Sequence, residues 1–187
     1  MSDCLIDRFV EKVNTGYREP IILDIDDTPP SVLVGEPDES GCIDWMIKPY
    51  TNVDWIEPLE EKLGHKLPIA YRSLLTRYIF PAFEFSDLWF FANTPEGTDY
   101  YELRDRIFCD EALFKSLWPA GFIQFANPAG GNYDPVCFDL NHGSKNDCPI
   151  VQIDHEGILC YDTIKIVKQI ARSFRDFLES AIAADLS

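Results

Sequence analysis

The stretch WIEPLEEKLGHKLPIAYRSLL, residues 55–75, reads as two helices and the corner between them. Asp54 stands before it as a cap with Glu57 three residues on, and Pro58 falls in the first turns, where a missing N–H costs little. Leu59 and Leu63 turn inward. Gly64 supplies the residue that ends a helix in a left-handed conformation. Pro68 then opens a second helix, because the N–H it lacks would have no partner in a first turn anyway. Ile69, Tyr71, Leu74, Leu75 and Tyr78 mark that helix, and Pro81 stops it. Two short helices meeting at a tight corner form a helical layer, so any sheet must come from the flanking sequence.

Downstream, residues 88–92, 121–126, 136–140, 150–153 and 158–161 are short β-rich runs, and 100–118 reads as one or two short helices. Turn chemistry at 128–135, 141–149 and 154–157 separates the later runs, and connections that short favour antiparallel neighbours. A closing helix is expected from Ile166, with Ile170, Phe174, Phe177, Leu178 and Ala181 as its stripe against Lys168, Arg172, Arg175 and Glu179. Upstream, Leu5, Ile6, Phe9, Val10 and Val13 line one face of a first helix. This order predicts the α+β class: a mostly antiparallel twisted sheet flanked by helices. The domain is expected over 43–187, preceded by a helix and an acidic, proline-rich extension over 1–42.

The chain has 187 residues, 46% of them apolar and 13% aromatic, well outside the composition of disordered chains. Its 32 Asp and Glu against 16 Lys and Arg leave a formal charge of -16, which repels phosphate backbones and anionic membrane surfaces. No nucleic-acid or membrane partner is therefore expected. No apolar run approaches the roughly 20 residues of a membrane helix, and the first thirteen residues do not read as a signal peptide. Six scattered cysteines in such a chain read as reduced thiols of a cytoplasmic protein.

Between Glu19 and Asp44 lie eight carboxylates and no Lys or Arg, with prolines at 20, 29, 30 and 37. The apolar runs at 21–25 and 32–34 fit edge strands there, since proline and like charges forbid long central ones. Asp26, Asp27, Glu36, Asp38, Glu39 and Asp44 are the candidates for contact with a basic partner. Aromatic side chains usually dominate binding energy, which adds Tyr50, Trp55, Tyr100, Tyr101 and Tyr133. The sequence PAGGNYDPVCFDL, residues 128–140, combines a glycine turn with Asn132 and Asp134, whose polar groups a partner could meet beside bare backbone.

The phosphate-loop, dinucleotide, serine-elbow and zincin motifs are all missing. Cys137, Asp139, His142, Cys148, His155 and Cys160 offer six possible ligands within 24 residues but none of the paired spacings of a zinc site. A nucleophile at Cys137 or Cys160 beside His155, with Asp139 orienting the ring, would sit among carboxylates that disfavour a thiolate. The expectation is no catalytic residue, no metal and no cofactor.

Residues 55–75 resemble the helix, Leu-Gly, Leu-Pro, x-x-Tyr, helix pattern of the SUKH superfamily, the Smi/Knr-type proteins. GFIQFANPAGGNYDPVCFDL (121–140), VQIDHEG (151–157) and ARSFRDFLES (171–180) are similar to its Gly-rich hairpin, its strand with a His-Glu turn, and its closing Ser-Phe-x-x-Phe-Leu helix. After Tyr78 the usual Asn-Gly turn is replaced by Ile79-Phe80-Pro81, and the acidic segment before Ile43 has no counterpart. The resemblance implies an α+β domain without recognised catalytic residues. It also implies a binding role: many bacterial members neutralise a cognate toxin, often a nuclease, and yeast members regulate cell-wall synthesis. The expectation is an immunity protein, monomeric or weakly dimeric, that captures a basic toxin, with a regulatory scaffold as the alternative.

Overall fold

The computed structural model describes residues 2–16, 18–22, 30–50, 54–94, 103, 107–108, 111–144 and 146–184. Helix α1 (Ser2–Thr15) buries Leu5, Ile6, Phe9, Val10 and Val13, the stripe its sequence spacing predicts. It packs against α3 (Ile69–Arg77) and the last helix, α6 (Phe174–Ala183). Lys12 Nζ donates to the carbonyls of Ile182, at 2.7 Å, and Ala184, so a cation from the first helix satisfies the carboxyl end of the last.

Helix α2 (Ile56–Leu63) ends as expected: Gly64 takes φ 65° and its N–H reaches Glu61 O. Its start differs from expectation. Trp55, not Asp54, occupies the cap position, and no side chain caps it. Pro58 then sits third in the helix, where its absent N–H leaves no bond unmade. Glu60 turns inward with its side chain 1% exposed, accepting Leu67 N–H at 3.0 Å and pairing with Lys66 at 2.8 Å and Arg72 at 3.2 Å. That carboxylate fastens the α2–α3 corner. Helix α3 ends at Arg77, short of Pro81, because the chain straightens into β5 (Tyr78–Ile79) to pair with β4 (Lys48–Pro49).

The main sheet is an antiparallel meander of six strands: β6 (Phe83–Phe85), β7 (Leu88–Phe90), β8 (Phe122–Pro128), β9 (Val136–Asp139), β10 (Ile150–Ile153) and β11 (Ile166–Ala171), each beside its sequence neighbour. A smaller sheet places β3 (Cys42–Trp45) between β1 (Ile21–Ile22) and β2 (Leu33–Val34). The described strands of the two proline-flanked runs, Ile21–Ile22 and Leu33–Val34, are thus its edges, as like charge and proline dictate, while residues 23–25 lie outside the described residues. The molecule is α+β.

Residues 155–171 reverse the expected order. Residues 158–161, read as a strand, belong to helix α5 (His155–Tyr161), and residues 166–171, read as the start of the closing helix, form β11. Asp154 caps α5 by accepting Gly157 N–H at 3.1 Å, and Ser173 caps α6 by accepting Asp176 N–H at 3.0 Å. Ile166, Val167 and Ile170 are β-branched and lose rotamer freedom in a helix, so the strand prevails. Of the helices expected over 100–118, α4 (Glu111–Leu117) is described; Tyr100 and Tyr101 lie outside the described residues.

Successive strand residues face opposite ways, and each face has its own core. On the helical side Tyr71, Phe125, Phe138 and Phe174 meet with ring centroids 4.2–5.9 Å apart. On the other, α4 and α5 cover Phe122, Cys137, Val151 and Ile153 with Leu117 and Ile158. The β9–β10 connection closes the helical layer. Its Asn146 carbonyl accepts Ile69 N–H at 2.9 Å and its Asp147 carboxylate accepts Phe174 N–H at 3.0 Å, so one loop meets the starts of α3 and α6.

Candidate functional site

The first surface is the turn between β2 and β3. Asp38 Oδ1 accepts Ser40 N–H at 2.8 Å and Cys42 N–H at 2.9 Å, while the Asp38 backbone N–H bonds Cys42 O at 2.8 Å. An aspartate at this place holds its own turn rigid, as short acceptor side chains do. Glu36, Asp38 and Glu39 are exposed there, and none of them pairs with a cation among the described residues. Asp44 lies on β3 and is partly neutralised by Arg18 at 3.4 Å, whose guanidinium also lies 5.6 Å from the Trp45 ring. Asp26 and Asp27 fall outside the described residues. Tyr50 is half-buried, and Trp55 is half-buried against the main core.

The second surface is the β8–β9 loop. Gly130 and Gly131 take φ 81° and 83°, a conformation that spares them a side-chain clash and turns the chain back. Asn132 Oδ1 then accepts Asp134 N–H at 2.9 Å. Asp134 is the hub: Oδ1 accepts the His155 backbone N–H at 3.0 Å and lies 2.7 Å from His155 Nδ1, and Oδ2 accepts Gln152 Nε2 at 2.9 Å and Asn132 Nδ2 at 3.1 Å. Burial pushes its carboxyl pKa up, but the hydrogen bonds from His155, Gln152 and Asn132 outweigh burial and hold it below the ordinary range. Tyr133, 73% exposed, stands edge-on to the His155 ring at 6.1 Å. In the neighbouring β6–β7 turn Asp87 O accepts Ala129 N–H at 2.9 Å, and on β7 exposed Trp89 pairs with Asn127. Asn132, Tyr133 and Asp134 thus come together with His155, while the acidic turn belongs to the smaller sheet.

His155, Gln152 and Trp89 are contributions the sequence reading left out of this surface. Trp89 had a signal, because Leu88-Trp89-Phe90 alternates and puts Trp89 on the face opposite its neighbours.

The chemistry of the second surface follows from occupancy. Asp134, Asp154 and His155 bring ligand atoms within 4.8 Å of one another, yet Asp134 already accepts four hydrogen bonds and Asp154 caps α5. These carboxylates clasp a loop. The six residues weighed as metal ligands are divided: Asp139 pairs with His142 at 2.7 Å, His155 with Asp134, and Cys137 and Cys148 lie in different cores. Asp134 and not Asp139 orients His155. Burial, reinforced by the Asp139 charge, pushes the Cys137 thiol well above its ordinary range, and burial beside Asp147 and Asp139 takes Cys148 up to about 12. Both are poor sources of thiolate.

The depressed Asp134 pKa is also a statement about stability. Its contribution is complete above the unfolded value of 3.8 and is lost as pH falls through the lower folded value. Asp134→Asn should cost about 2 kcal/mol at pH 7, the scale of hydrogen bonds to a charged acceptor. The urea midpoints of variant and parent should converge below pH 3.8. A gap independent of pH would deny the carboxylate this role.

A six-stranded meander carrying helices on both faces, with its loops clasped by side chains, Tyr133 exposed in one of them and Trp89 exposed on a strand, defines an α+β domain that presents surfaces. The chain belongs to the SMI1 / KNR4 family (SUKH-1), whose model matches residues 51–180. Among curated proteins none matches the chain. No helix of the described residues is long and apolar enough to cross a membrane.

Proposed function

We propose that the chain is a non-catalytic, cytoplasmic protein-binding module of the immunity type, which captures a basic toxin domain through its acidic turn. The observation that carries this reading is the exposed, uncompensated cluster of Glu36, Asp38 and Glu39, held in a turn by hydrogen bonds of Asp38 itself. A toxin that cuts nucleic acid needs a cationic groove. Fixed carboxylates facing that groove steer encounter, raising association rates roughly 10 to 1,000-fold at low salt. Affinity is assigned to exposed Tyr133 and Trp89, since buried aromatic anchors usually dominate interface energy. Family membership supports a binding role.

The test is co-expression with the toxin-like product of a neighbouring gene, scored by survival and by a complex on a sizing column. Glu36→Lys with Glu39→Lys, leaving Asp38 to hold the turn, should slow association about tenfold and flatten its salt dependence. An unchanged salt slope would remove the turn from the mechanism, and failure to protect or to form a complex would sink the reading.

A further inference from the structure

Charge is distributed unevenly in this molecule. Residues 163–175 contain Lys165, Lys168, Arg172 and Arg175 and no Asp or Glu, in a chain with twice as many acids as bases. Its centre is β11, an edge strand of the main sheet. Arg175 pairs with Glu179 at 2.8 Å, but Lys165, Lys168 and Arg172 are exposed and make no ion pair among the described residues. Between them Ile166 and Val167 are 44% and 53% exposed. The inner side of β11 pairs with β10; its outer side pairs with no strand among the described residues.

We propose that the β11 edge is a second docking surface, which takes an extended acidic segment of another protein as an added antiparallel or parallel strand. Main-chain hydrogen bonds to the open edge supply such binding in general, and alternate side chains select the partner. Here Lys165, Lys168 and Arg172 select carboxylates, and Ile166 and Val167 select apolar residues between them. The occupant is not a second copy. Each copy carries -16, and pairing two β11 edges would bring the same cations face to face. Nucleic acid suits three cations but not the apolar residues between them or the charge of the whole. This surface is independent of the acidic turn, which attracts the opposite sign.

The experiment uses the full chain and a fluorescein-labelled dodecapeptide of alternating Glu and Val at low salt. Anisotropy should show saturable binding, and hydrogen exchange should show slowed amides confined to 164–172. Lys165→Glu with Lys168→Glu, both on the surface, should weaken binding at least tenfold while thermal unfolding stays unchanged. The exchange pattern of the parent chain tests the same assignment without any variant. A Lys-Val peptide should not bind. The proposal falls if the Glu-Val peptide fails to bind at 0.1 mM, a concentration of about the weakest specific contacts, or protects amides elsewhere. It falls equally if an oligothymidine protects the same amides as strongly, or if sedimentation shows dimers joined through β11.

Discussion

Tyr71→Ala should lower the unfolding free energy by about 4 kcal/mol, the scale measured for removing a buried aromatic ring. The ring joins four elements. From α3 it reaches Phe125 on β8 at 5.4 Å, Phe138 on β9 at 5.0 Å and Phe174 at the start of α6 at 5.2 Å. Burial also pushes the Tyr71 phenol pKa up, so the ring stays neutral across the ordinary range. Truncation leaves a void bounded by three phenylalanines on different elements, and such walls collapse poorly. Urea denaturation of parent, Tyr71→Ala and Tyr71→Phe should separate ring from hydroxyl, with the Phe variant losing under about 1 kcal/mol. A loss of less than about 1 kcal/mol on truncation to alanine would place the ring outside the cooperative core.

Glu60→Ala should cost about 3 kcal/mol. The ion pairs are not the main reason, because Lys66 and Arg72 both reach solvent and regain water when the carboxylate goes. The loss comes from the Leu67 N–H, which is buried and would lose its acceptor at about 1 to 3 kcal/mol, together with about 0.8 kcal/mol for each buried methylene removed. Glu60→Gln keeps an amide oxygen for Leu67 and should lose roughly half as much. Equal losses in the two variants would assign the effect to charge. High salt should leave the alanine penalty nearly unchanged, since the screened pairs contribute least.

The corner at Gly64 and Pro68 was legible because each residue carries its conformation locally, one by permitting a left-handed φ and the other by lacking an N–H. The stripe of α1 was legible because five apolar residues keep helical spacing without interruption. Residues 155–171 were not. Ile166, Ile170 and Phe174 sit four apart by coincidence across a strand and the helix after it, so periodicity alone joined what Ser173 divides. The cap signals Asp154 with Gly157 and Ser173 with Asp176 were present and point the other way. In the second surface, the glycine turn and the Asn132 to Asp134 bond span few residues and could be read. The grip of Asp134 on His155 spans 21 positions, and no local pattern marks either end. The Asp139 to His155 orientation considered from sequence fails for the same reason: order along a chain does not say which carboxylate a ring will meet.

The bond from Lys12 to the carbonyls that close α6 has a consequence for biosynthesis. Helix α1 is translated well before α6, one of the two helices its apolar stripe packs against. A nascent chain in which α6 has not yet emerged therefore leaves part of that stripe unsheathed. Chaperone dependence should track translation speed, and ribosomes stalled before α6 emerges should hold protease-sensitive intermediates.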